Sequence, residues 1–171
     1  MSVRAPACLV AAMLLFGSAC GDGGKSPGDL GRDLGGRLDD AAAAPCDLLR
    51  PSEIADVLGG PVAQGEESAG ACVFAVGGDQ GEPGSGNLEV SIPAPSPTVE
   101  PDVWFDSLRT GGDVTVRGVG DAAFYEPESA TLKALAGGTV LVLRASLIPE
   151  PDDLRDSLEE LARAAVDRLE T

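Results

Sequence analysis

Four cysteines, Cys8, Cys20, Cys46 and Cys72, are the side chains in this 171-residue sequence best suited to covalent chemistry, and the chain has no histidine. Without imidazole, the usual general base for an activated serine or cysteine is missing. A zinc site on Cys46 and Cys72 would have to recruit carboxylates beside two thiolates, an uncommon ligand set. Lys133 is the single lysine after residue 44, and its alternating neighbours place it at an exposed strand position. The serines fall mostly in leader or turn contexts, the carboxylates follow no diagnostic catalytic spacing, and no Asp-x-Asp-x-Asp-Gly loop occurs. The expectation is therefore a non-enzyme with no catalytic residues, no metal and no cofactor. A carboxylate-based hydrolase and an envelope folding or assembly factor are the alternatives.

The first two cysteines belong to a different chemistry. Met-Ser-Val-Arg is followed by ten apolar residues, Ala7 to Phe16, and then by Gly17-Ser18-Ala19-Cys20. A basic start, a short apolar stretch and small residues before a cleavage point define a secretory leader, read here as residues 1–19. Ten residues are too few to span a hydrocarbon core about 30 Å thick. The cysteine after small residues resembles the lipobox of bacterial lipoproteins, which implies a diacylglyceryl group on the Cys20 thiol. Gly17 stands where that box usually carries Leu, and Gly17-Ser18-Ala19 also suits an ordinary signal peptidase, which would leave a secreted protein. With Cys8 discarded and Cys20 alkylated, Cys46 and Cys72 remain as an even pair outside the cell. A disulfide is the default in that oxidising setting, and closing the loop stabilises the fold by roughly 3 kcal/mol in the chain-entropy model.

Charge narrows the partners. Arg4 is the one charged residue before Cys20, so the mature chain carries 28 acidic and 11 basic residues, a net charge of about −17. Nucleic-acid binding needs clustered cations and is not expected. Adsorption to anionic lipid lacks the roughly 1 kcal/mol that each surface Lys or Arg supplies, so membrane association requires the N-terminal lipid anchor. Residues 20–44 carry seven glycines among Asp, Arg and a run of Ala, and read as a flexible linker. A protein or envelope partner is expected, of unspecified identity.

The remaining residues, 45–171, have the patterning of a single domain. A helix is expected from Pro51 to Leu58, with Ile54, Val57 and Leu58 on its apolar face and Gly59-Gly60-Pro61 at its end. Strands are expected at Ala71 to Val76, Asn87 to Ile92, Val114 to Arg117, Thr131 to Leu135 and Thr139 to Leu147. The stretch around Phe124 and Tyr125 is a further candidate. The glycine-rich stretch between Gly77 and Gly86 lacks the Lys-Ser/Thr ending of a phosphate loop and reads as a hairpin loop. Gly137-Gly138 marks a tight turn. Val140 and Val142 oppose Leu141, Leu143, Ala145 and Leu147, the pattern of a central strand covered on both faces. A second helix from Pro101 should bury Val103, Trp104 and Leu108. A third carries the stripe Leu154, Leu158, Leu161, Ala165 and Leu169. The order α-β-β-α-β-β-β-α with hairpin connections implies an α+β fold, a largely antiparallel sheet covered by helices.

Several local strings occur together: Pro45-Cys46-Asp47-Leu48-Leu49, Leu58-Gly59-Gly60-Pro61-Val62, Cys72 before Phe74, and Gly118-Val119-Gly120-Asp121-Ala122-Ala123-Phe124-Tyr125. Over Pro45 to Thr171 they resemble a family of actinobacterial lipoproteins of unknown function. Arg50 stands where that family often has Thr or Ser to cap the first helix, and a lost cap costs about 1 kcal/mol. The resemblance implies location and fold and brings no activity. The candidate contact region is Gly118 to Tyr125, with Asp121 and Tyr125 as binding residues. The same glycines also fit a turn or bulge that leaves Phe124 in the core.

Overall fold

The computed structural model describes residues 44–78, 85–95, 97–148 and 153–171, all within a compact unit spanning Ala42–Thr171. The leader, Cys20 and the linker up to residue 43 lie outside the described residues, as do residues 79–84 of the expected hairpin loop.

Among the described residues, seven strands form one antiparallel sheet: β1 (Glu66–Ser68), β2 (Ala71–Val76), β3 (Ser85–Ser91), β4 (Val114–Val116), β5 (Ala122–Glu126), β6 (Thr131–Ala136) and β7 (Thr139–Ile148). Their spatial order is β1-β2-β3-β7-β6-β5-β4. Two meanders, β1-β2-β3 and β4-β5-β6-β7, thus meet where β3 pairs with β7, from Ser85 opposite Ile148 to Ser91 opposite Val142. Strand β7, the longest, sits at the centre of the sheet. Its Leu141, Leu143 and Ala145 enter the main core while Val140 joins a second cluster on the opposite face. The two-sided pattern in the sequence therefore marked the central strand. Between β6 and β7, Gly137 and Gly138 both take positive φ (55° and 80°), the geometry that a two-residue hairpin needs and that glycine adopts without steric cost.

Helices cover both faces. On one side lie α1 (Pro51–Leu58) and α3 (Leu154–Leu169), on the other the short α2 (Pro101–Ser107). Ile54 of α1 and Leu154, Leu158, Leu161 and Ala165 of α3 are buried against Phe74, Leu88, Val90, Leu132 and Leu143. This is the stripe expected from the sequence, with Leu169 only partly buried at its end. The other face holds a smaller cluster of Phe105, Phe124, Leu135 and Val140, onto which Trp104 and Leu108 pack. Val103 is not inward as expected; it is 59% exposed and Phe105 is buried in its place. In a seven-residue helix, Trp104, Phe105 and Leu108 form the stripe, and Val103 falls outside it.

Two strands enlarge the expected order. Tyr125 and Phe124 belong to a full strand, β5, and β1 adds an edge strand beside β2. The edge is broken: Val62 bridges Val76, Ala63 donates to the Ala75 carbonyl, and regular pairing resumes at Glu66. Gly65 lies in the interruption, where a Cβ would come within 2.4 Å of the Cys72 sulfur and 2.7 Å of the Phe74 ring. Close passage over the disulfide is what demands glycine there.

Cys46 and Cys72 are joined, with their Cα atoms 5.0 Å apart, so the 3-10 turn Pro45–Asp47 is fixed to β2. Arg50 precedes α1 without accepting a cap bond, since a guanidinium has no acceptor. Glu53 compensates: its Oε2 accepts the Arg50 N–H at 2.9 Å, and its Oε1 pairs with Arg168 from the last turn of α3. The same guanidinium donates to the Leu48 carbonyl at 2.6 Å. Partial burial pushes the Glu53 carboxyl up, but the Arg168 hydrogen bond, the Arg50 N–H and the two guanidinium charges outweigh it and hold it below the usual range.

Candidate functional site

Asp121 and Tyr125, the residues singled out from the sequence, do not form one surface. Tyr125 lies in the main core at 6% exposure. Asp121 is exposed at the start of β5, where its N–H donates to the Leu135 carbonyl (2.7 Å) and its Oδ2 accepts the Gly137 N–H (3.0 Å). It thereby ties the turn before β5 to the β6-β7 hairpin. Gly120, at φ 53°, would place a Cβ 2.3 Å from the Leu135 carbonyl oxygen, so this turn closes only around glycine. Arg163 of α3 donates to the Gly118 carbonyl at 3.3 Å. Gly118 to Tyr125 has the geometry of the turn and core strand that its glycines also allowed, with Phe124 fully buried.

Lys133 is not at an open strand position. It is half-buried, and its ammonium pairs with Glu126 of β5 and stands 5.4 Å from the Phe124 ring centroid. Arg109, just past α2, lies 5.0 Å from the same centroid, and Phe105 packs at 5.1 Å. Alternation along β6 assigned Lys133 to a face but carried no signal that Glu126 and Phe124 of the neighbouring strand would engage it.

Beside this pair lies a cleft of about 340 Å³ lined by Thr110, Gly112, Asp113, Glu126, Pro127, Glu128 and Ser129. Its polar groups serve one another. Asp113 accepts both the Thr110 hydroxyl and the Thr110 N–H at 2.7 Å. Glu126 takes Lys133 on one oxygen, and the Ser129 hydroxyl lies 2.9 Å from the other. Ser129 therefore has for a neighbour a carboxylate already neutralised by Lys133, rather than a free base. Among the described residues, no group of three or more Cys, Asp or Glu side chains is placed to hold a metal ion.

A more open region lies on the α2 side of the sheet, beyond the area that α2 covers. Ala75 of β2, Asn87 of β3 and Ser146 of β7 form one cross-strand row, with Val73, Glu89 and Arg144 in the next. Ala75, Asn87, Arg144 and Ser146 are exposed, and Val73 and Glu89 half-buried. Glu89 and Arg144 are register partners, yet neither makes an ion pair with a described residue. This region combines a central sheet position with side chains whose hydrogen-bonding capacity is unspent on the described residues. Period-two alternation in the sequence located these residues on one face, but nothing local showed which part of that face α2 would leave uncovered.

The fold defines the chain as an α+β protein with a disulfide-fixed N-terminal turn. No family model, curated protein or solved structure matches it.

Proposed function

We propose that this chain is an exported protein, cleaved after Ala19, held by a lipid on Cys20 at the extracytoplasmic face of the cell membrane, and that its domain is a non-catalytic interaction module. The leader pattern supports export, and a disulfide is in keeping with an oxidising compartment. The observation that carries the interaction reading is the uncovered sheet region around Arg144. An exposed guanidinium that makes no ion pair with a described residue, on a mature chain of net charge about −17, is a ready donor for a partner's carboxylate, and Glu89 beside it accepts from a partner's cation. The occupant is a partner protein of the envelope that offers this charge pair in reverse. A photo-crosslinking residue at Ser146 should give one adduct of discrete mass in cells, lost in Arg144→Glu, while the same probe at Arg155 on α3 gives none. Adducts from Arg155 alone, or a Ser146 adduct indifferent to Arg144→Glu, would overturn the reading of this face.

A further inference from the structure

The disulfide stands at the first residues of the fold, which gives it a mechanical consequence beyond stability. Cys46 is two residues past Ala44, where the described chain begins, and its element is a three-residue 3-10 turn held by two backbone bonds, Asp47 to Ala44 and Leu48 to Pro45. Tension arriving from the N-terminal side would, without the bond, meet this turn first. Next would come α1 with Leu48, Leu49 and Ile54, and then the broken edge of Val62, Ala63 and β1. Peeling them would uncover the main core before the sheet itself carried load. Cys72 offers another route. It is fully buried, and it lies in β2, which pairs with β3 along six residues from Ala71 opposite Ser91 to Val76 opposite Gly86.

We infer that the Cys46–Cys72 disulfide is a load-transfer staple: it passes tension from the N-terminal tether directly into β2, and shields α1 and the β1 edge from force. The inference rests on the reading that the chain is held through its N-terminal segment. It assigns the placement of the bond a role that a purely entropic cross-link, effective anywhere along the chain, would not require. The Arg168 contacts to Leu48 and Glu53 become the reserve that holds α1 if the bond is reduced.

Single-molecule extension of the mature chain tests this, with one handle on the Cys20 thiol as a thioether and the other at Thr171. Reduction is carried out after folding and attachment. The oxidised chain should open in one step, with the segment between Cys46 and Cys72 held back. The reduced chain should first release that segment, a sequence separation of 26 or about 90 Å of contour at roughly 3.5 Å per residue, at a force below that of sheet opening. Moving the first handle to Glu67 by a clickable residue should abolish the early step in the reduced chain, because α1 then lies outside the load path. Opening of the reduced chain in one step at the oxidised force would overturn the inference. So would an early step that persists from Glu67, which would show general weakening by reduction. None of these readouts depends on whether Cys20 is lipidated, so failure of the anchor reading is distinguished by labelling alone.

Discussion

Removing the Arg168 guanidinium should weaken the domain by about 2 kcal/mol, and the structure divides that loss. In Arg168→Met the Leu48 carbonyl, in a residue 1% exposed, loses its 2.6 Å donor. A buried acceptor left unpaired costs about 1–3 kcal/mol. Loss of the Glu53 pair adds less, because the two side chains keep 27% and 31% of their surface in water, and ion pairs so placed contribute about 0.5–1 kcal/mol. Chemical denaturation of wild type, Arg168→Met, Glu53→Gln and the double variant should therefore give a coupling of about 0.5–1 kcal/mol, with thermal midpoints falling by roughly 4 °C per kcal/mol for a domain of this size. The charge part has a pH signature. Because the folded carboxyl is held below its ordinary range, its contribution is complete above the unfolded value of about 4.3 and disappears as pH falls through the lower folded value. Wild type and Glu53→Gln should accordingly converge in stability as pH falls from the unfolded value through the lower folded one. Zero coupling, or a difference that persists undiminished into strong acid, would refute the clamp.

Three further substitutions probe other parts of the structure. Gly86→Ala places a Cβ 1.9 Å from the Ser146 carbonyl oxygen, against backbone at the β3-β7 junction, and should cost more than about 3 kcal/mol in denaturant titration. Asp121→Ala removes an exposed hydrogen bond to Gly137 and should cost about 0.5–1 kcal/mol while leaving crosslinking at Ser146 unchanged; a lost adduct would return Asp121 to the contact region. Lys133→Met leaves Glu126 with the Ser129 hydroxyl but without its cation, removes a cation from the Phe124 ring, and should cost about 1 kcal/mol by thermal melting.

Much of the fold was legible because its signals are local. The bounds of α1 follow from Pro51 and Gly59, the centrality of β7 from its apolar residues on both faces, and the disulfide from counting thiols in an oxidising setting. Strand β1 escaped because Glu66, Glu67 and Ser68 are all exposed and have no alternation; only pairing with β2 makes them a strand. Val103 and Lys133 were misplaced for a related reason. A pattern fixes which face a side chain occupies, whereas burial depends on which neighbours pack on that face. The pairing of Arg168 with Glu53 and Leu48 has no sequence signal, as its partners lie 115 and 120 residues away. Asp121 beside two glycines and two aromatics invited a contact site, yet its bonds to Gly137 and Leu135 are those of a turn.

Where the protein works is tested most directly at Cys20. Cells of an actinobacterial host producing wild type or Cys20→Ala are fed a palmitate analogue, and label on the purified protein is measured. A lipid anchor on Cys20 predicts label on wild type in the membrane fraction and none on Cys20→Ala. Equal labelling of the two, or an unlabelled wild type recovered from the medium, would contradict it.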